Sequence, residues 1–229
     1  MADAGVTGAG LAGSGSTGAG SVDAVGVAAS DGRGVSIRVA TRADIPALEA
    51  LIARSAAALG RTFYAPDALA MAIRNIFGVD SQLVDDGSYL VAEIDGGLAG
   101  CGGWSRFATL FGSDRYADRS PALLVPGRDA ARVRAMFTAP DYVRRGVGSA
   151  IMHASEKAAR AAGFDALALM ATLSGVAFYQ GHGFVAAAGV TVDAGGIAVP
   201  FVPMHKTLHD PARARRCRPH IHGRNDNGF

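Results

Sequence analysis

Cysteine is nearly missing from this chain: Cys101 and Cys217 are the two in 229 residues. They stand far apart, one in an apolar strand-like run and the other in a basic segment. Neither a disulfide framework nor a zinc or other metal site is expected, and a reducing cytoplasm is the implied compartment. Long apolar runs are missing too. No stretch of about 18 consecutive apolar residues occurs, so there is no candidate membrane span. The first basic residue after Met1 is Arg33, so the charged start of a secretory signal is also lacking. Nor is there excess charge of either sign. Lys and Arg number 22 against 20 Asp and Glu, a formal net charge of +2, which gives the chain as a whole no electrostatic reason to bind nucleic acid. What is present is apolar: 49% hydrophobic residues against 18% charged, the balance of a soluble globular protein with a good core.

The two ends differ from the middle. Residues 1–34 are dominated by Gly, Ala, Ser and Thr without a persistent period, and such a composition cannot offset the ordering cost of a fold. They are expected to be a flexible arm. Residues 209–229 carry five arginines and no apolar face, which reads as a solvated basic tail. A single domain is expected over residues 35–208.

Within it, Val35, Ile37 and Val39 alternate as a strand does. Thr41 or Asp44 can cap a helix in which Ile45, Leu48, Leu51 and Ile52 share a face. Pro66 suits the first turn of a second helix, which Gly78 should end. Tyr89–Ile94 and Leu98–Phe107 read as a hairpin turning at Asp95-Gly96-Gly97. Ala108–Ala130 is a long polar loop, and loops of this length in compact domains are often lids. Residues 131–138 make a strand with Val133, Ala135 and Phe137 on one face. Ile151, Ala154, Ala158 and Ala162 then repeat at helical spacing up to Gly163. "DALALMAT" is a strand, "VAFYQGHGF" a short helix closed by Gly183, and "VPFVPMHKTL" pairs with the run near Ala186–Val192. The order β-α-α-β-β-β-α-β-α-β-β implies an α/β domain. Its central sheet is mixed but mostly antiparallel, is flanked by helices, and contains one right-handed parallel crossover.

That crossover carries the chemistry. In "APDYVRRGVGSAIM", Gly146 and Gly148 allow backbone angles barred to other residues and let a ligand approach the main chain. The helix from about Val147 aims unpaired amides and its positive dipole end at the same point. Ser149 adds a hydroxyl, and Arg144 and Arg145 add charge. The set suits a phosphate. A P-loop is excluded because no Lys follows the glycines, and a dinucleotide-binding GxGxxG is excluded because Ile151 stands where its third glycine belongs. A capped helix with two incidental arginines fits the turn alone.

The turn does not stand alone. "MFTAPDYVRRGVGSAIM", followed about 30 residues later by "AFYQGHGF", resembles the GNAT superfamily of acyl-CoA-dependent N-acetyltransferases, over roughly residues 36–208. The resemblance implies a GNAT-like domain that uses acetyl-CoA as acyl donor. Met136, Phe137 and Thr138 match the strand whose main chain pairs with the acetyl and pantetheine amides. Arg144, Arg145, Gly146, Val147, Gly148 and Ser149 match the pyrophosphate loop. Tyr179 matches the general acid toward the departing thiolate. Val143 stands where the family loop usually opens with Gln or Arg, Thr172 replaces an Asn, and Leu167 replaces a glutamate base found in some members. The base is therefore unassigned, with Glu93, acting through water, the nearest candidate.

Phe63, Tyr64 and Trp104 are candidates for lining the acceptor pocket. Cys101, between glycines in an apolar strand, reads as a buried inert thiol, His182 as a helix-end group, and His153 as surface. The expected partner is an amine on a small molecule or a protein, and the many apolar strands point to a homodimer. The main rival to an N-acetyltransferase is a non-catalytic acyl-CoA-binding regulatory module of the same fold. A nucleic-acid binder using the arginine-rich tail is the third reading.

Overall fold

The computed structural model describes residues 34–116 and 120–208. The basic tail and, apart from Gly34, the N-terminal arm lie outside the described residues. The elements are β1 (Val35–Val39), α1 (Ile45–Gly60), α2 (Pro66–Asn75), α3 (Ser81–Asp85), β2 (Tyr89–Ile94), β3 (Gly97–Ser105), β4 (Ala131–Thr138), α4 (Val147–Ala161), β5 (Ala166–Ala171), α5 (Val176–Gly181), β6 (Val185–Ala186), β7 (Val190–Asp193) and β8 (Ala198–Thr207).

Most expected elements form where the periodicity put them. The hairpin turns on two residues, Asp95 and Gly96, both with positive φ, and Gly97 already belongs to β3. Helix α2 stops at Asn75, three residues before Gly78. The short helix α3 has no counterpart in the sequence reading, since five residues are too few to show a period. It is held by the Asp80 carboxylate, which accepts from the Gln82 amide at 3.2 Å.

The strands run in the order β1-β2-β3-β4-β5-β8-β6, with β7 also pairing β8. Every pairing is antiparallel except β4 with β5, which is the crossover around the glycine turn. Both faces of the sheet are covered. Strand β2 records this in its alternation. Tyr89 and Val91 pack with Leu48, Ile52 and Phe77 under α1 and α2, whereas Leu90, Ala92 and Ile94 pack with Val147 and Ile151 of α4. Each fully buried aliphatic side chain of this kind contributes about 1.5–3 kcal/mol.

Two irregularities of β4 shape what lies beyond it. Its register against β3 shifts between Cys101 and Gly103, and Ala135 sits there at φ 50°, a β-bulge. The bulge inverts the side-chain alternation. Val133 and Met136 pack on the α4 side, while Ala135 and Phe137 pack on the α1 side. The expectation that Val133, Ala135 and Phe137 share one face is thus corrected: the extra residue turns the strand over. Further, β4 pairs with β5 only at Ala131–Leu167 and Arg132–Ala168, after which the two strands part. No helix of the described residues is long and apolar enough to cross a membrane.

Candidate active site

Where β4 and β5 separate, a cavity of about 520 Å³ opens. One wall is the end of β4, Met136, Phe137 and Thr138. The second is the turn and start of α4, with Val143, Arg144, Gly146, Val147, Gly148 and Ser149. The third is the segment after β5, with Thr172, Ser174, Gly175, Phe178 and Tyr179. The fourth, on the other side of the sheet, comes from α1 and α2 with Ser55, Ala56, Leu59, Tyr64, Leu69 and Phe77. The cavity therefore passes through the sheet at its split.

Gly146 caps α4 at φ 86°, in the left-handed region. Gly148 does not: its backbone is helical, and the second left-handed residue of the turn is Arg144, at φ 64°. Gly148 matters for space instead, because a Cβ there would lie 3.1 Å from the Phe178 ring. Helix α4 begins at Val147, so the amides of Gly148 and Ser149 fall in the first turn, which has no intrahelical partners. With Arg144 they form a positive rim on the cavity. Arg145 is not on that rim. Its guanidinium stacks over the Tyr142 ring at 5.3 Å and approaches Asp95 at 4.0 Å.

The strand wall offers a main-chain donor. The Ala139 amide bonds to the Ala99 carbonyl of β3. Alternation along a strand then turns the Thr138 amide the other way, toward the gap between β4 and β5. Tyr179 lies opposite, almost fully buried, with its ring against Phe178 and Phe184. Among the described residues nothing hydrogen-bonds its hydroxyl, and burial pushes the phenol well above its usual range. Thr172 lies beside it on the cavity wall, its hydroxyl 3.2 Å from that of Ser174.

Of the acceptor candidates, Tyr64 lines the cavity, and its hydroxyl accepts a 2.8 Å hydrogen bond from the Leu173 amide. Phe63, its neighbour, is half exposed and lies outside the cavity. Trp104 packs edge-on against Phe164, 6.0 Å between centroids, on the α4 side of the sheet. Glu93 also stands apart. It lies on β2 opposite Ser36 of the edge strand, and the Arg38 guanidinium donates to it at 3.0 Å while also holding Asp44. The structure does not bring Glu93, Phe63, Trp104 or Arg145 to the cleft.

Cys101 does reach the wall. Its thiol is fully buried, accepts from the Tyr89 hydroxyl at 3.3 Å, and is pushed up to about 12 by burial, so it stays protonated and inert. His182 is 3.1 Å from the Ser149 hydroxyl and near His153, and burial lowers its pKa.

Two features escaped the sequence reading. Ser55 and Ala56, on the buried face of α1, keep that wall set back. The only trace of this in the sequence is small residues interrupting the Ile/Leu stripe. The second is a buried ion pair, Arg134 with Asp80 at 2.7 Å, whose side chains are 2% and 0% exposed. Arg134 also donates to the carbonyls of Thr109 and Gly112, and so ties the long loop down. Phe111 of that loop stacks on Phe201, over a second cavity of about 70 Å³ that shares Phe77, Met136, Phe137, Thr172 and Tyr179 with the first.

Residues 85–186 match the family model described as an acetyltransferase (GNAT) domain. A search of curated proteins returns no match. Among solved structures, the chain is similar to a GCN5-related N-acetyltransferase from Rhodopseudomonas palustris, at 23% identity and TM-score 0.56, covering 76% of this chain and 95% of that one. It is similar to the PaiA N-acetyltransferase from Thermoplasma acidophilum in complex with coenzyme A, at 17% and 0.51, covering 76% and 98%. It is also similar to a ribosomal-protein-alanine N-acetyltransferase from Brucella melitensis, at 21% and 0.51, covering 75% and 99%. These likenesses show the fold, and the family match covers the crossover, the split strands and the tyrosine helix: residues 85–186 match the GNAT acetyltransferase domain.

Proposed function

We propose that this chain transfers an acetyl group from acetyl-CoA to a primary amine by direct attack, without a covalent enzyme intermediate. The observation that carries the reading is the cavity of about 520 Å³ through the sheet, lined by the cationic, amide-rich start of α4, by the end of β4 with the Thr138 amide, and by the buried Tyr179 phenol.

In this reading Arg144 and the first-turn amides of Gly148 and Ser149 hold the diphosphate of coenzyme A, and Gly148 leaves room for it. The main chain of Met136, Phe137 and Thr138 aligns the pantetheine arm. The Thr138 amide faces the oxygen on which charge develops when the amine attacks, the kind of fixed dipole that costs no reorganisation during reaction. Tyr179 remains protonated across the neutral range because it is buried, so a proton is at hand as the sulfur departs.

Calorimetry and free-thiol release test the proposal together. Acetyl-CoA should bind, and thiol release should saturate with amine. Tyr179→Phe should lower kcat by about 10²-fold or more while leaving acetyl-CoA affinity unchanged. Failure of acetyl-CoA to bind would overturn the proposal.

A second reading has one observation in its favour: no carboxylate or imidazole lines either cavity among the described residues. A non-catalytic acyl-CoA sensor would need none. Stabilisation by acetyl-CoA without thiol release from any amine would decide for it.

A further inference from the structure

The composition of the cavity walls bears on the acceptor. Asp, Glu, His and Lys are all missing from both linings among the described residues. Two arginines are present. Arg144 belongs to the phosphate rim, and Arg134 is neutralised by Asp80 at 2.7 Å. The remaining ionisable groups are phenols and the Cys101 thiol, which carry no charge near neutral pH. An ammonium ion entering this space would lose its hydration with no carboxylate to replace it, a cost of several kcal/mol.

The same walls hold no group that could take a proton from an ammonium ion. An alkylamine must be deprotonated before it can attack, whereas an amine conjugated to a ring is already neutral. The α1–α2 side of the cavity is also built for a flat apolar body. Phe77 meets Phe137 edge-on at 5.7 Å and Phe201 at 6.1 Å, with Leu59, Tyr64 and Leu69 beside them.

We infer that the acceptor is a small aromatic amine, uncharged in neutral solution, seated between the α1–α2 wall and the aromatic cluster at Phe77. The inference rests on the transferase reading above. In the step, the amine nitrogen forms a C–N bond to the acetyl carbon, and the C–S bond breaks. The nitrogen gives up one proton to solvent, and the sulfur takes one from Tyr179, which solvent restores.

The test compares aniline with benzylamine, which carries the same ring on an alkylamine, and with spermidine. Free-thiol release is measured with the full chain and saturating acetyl-CoA. At pH 7 the kcat/KM for aniline should exceed that for benzylamine at least about tenfold, and spermidine should be inert. Between about pH 6.5 and 8.5 the aniline value should stay flat while the benzylamine value climbs about tenfold per unit with its neutral fraction. Leu59→Glu, which puts a carboxylate on a half-buried position of the wall, should shift the ratio several-fold toward benzylamine. If spermidine or benzylamine equals aniline at pH 7, the inference is wrong and the transferase reading stands. If none of the three releases thiol although acetyl-CoA still raises the melting temperature, both fall. If acetyl-CoA raises no melting temperature, the donor assignment itself is wrong and the inference falls with it.

Discussion

The hydroxyl of Tyr64 accepts a 2.8 Å hydrogen bond from the amide of Leu173, joining the segment after α1 to the segment after β5 across 109 residues of sequence. Tyr64 and the neighbours of Leu173, Thr172 and Ser174, line the same cavity, so this bond ties two of its walls together. In Tyr64→Phe the Leu173 amide loses its partner in a largely buried setting. The expected cost is about 1–2 kcal/mol of stability, read from urea unfolding, with a rise in acceptor KM larger than any change in acetyl-CoA affinity. An unchanged unfolding midpoint would mean that water replaces the hydroxyl freely.

Arg134 and Asp80 give a sharper expectation. Both side chains are buried, and Arg134 also holds two carbonyls of the loop above the second cavity. Arg134→Met removes the guanidinium that balances the buried Asp80 charge, leaving the Gln82 amide donating to that carboxylate, and frees the loop, so it should cost about 3–5 kcal/mol. Adding Asp80→Asn should recover part of that loss by removing the stranded charge. Chemical denaturation of the two variants side by side checks this.

A pair of glycines separates space from conformation. Gly148→Ala places a methyl 3.1 Å from the Phe178 ring, so the ring must yield and the approach to the α4 amides narrows. Acetyl-CoA affinity should drop about tenfold or more, with little change in stability. Gly181→Ala, near the end of α5 and with nothing within 4 Å of the new Cβ, should instead stabilise by about 0.5–1 kcal/mol through helix propensity alone. Calorimetry for the first and thermal unfolding for the second read out the contrast.

His182 makes a prediction with a definite sign. Burial, then the neighbouring His153, lowers its pKa from the ordinary 6.5; Lys206 acts in the same direction and Glu156 opposes. Below pH 6.5 the unfolded chain therefore binds a proton that the folded chain resists, and stability falls as the pH drops toward the folded-state pKa. Above 6.5 both states are neutral and this contribution to the pH dependence disappears. His182→Gln should flatten the acid limb of a stability–pH curve and leave the alkaline limb alone. An acid limb of the same steepness in the variant would place the titration elsewhere.

The sequence by itself determined the order of all but two short elements, α3 and β6, together with the αβ crossover and the glycine–arginine turn, because each rests on local physics. Alternation reveals β1, the tight turn at Asp95-Gly96-Gly97 reveals the β2–β3 hairpin, helical spacing reveals α1 and α4, and prolines and glycines mark the ends. The cationic, glycine-bearing rim was legible for the same reason, since its residues fall within one short stretch, Arg144 to Ser149, from which only Arg145 turns away toward Tyr142. Tertiary structure alone decided the rest. The bulge at Ala135 turns β4 over and the parting of β4 from β5 opens the cavity, and both depend on strand registers that no window of sequence contains. Register also put Glu93 beside Arg38, 55 residues away, and Arg134 beside Asp80, 54 residues away, so the candidate base became half of an ion pair and an arginine amid an apolar strand became an anchor. Which side chains meet across a sheet is set by how distant strands slide into register, and that is settled only when the whole core closes.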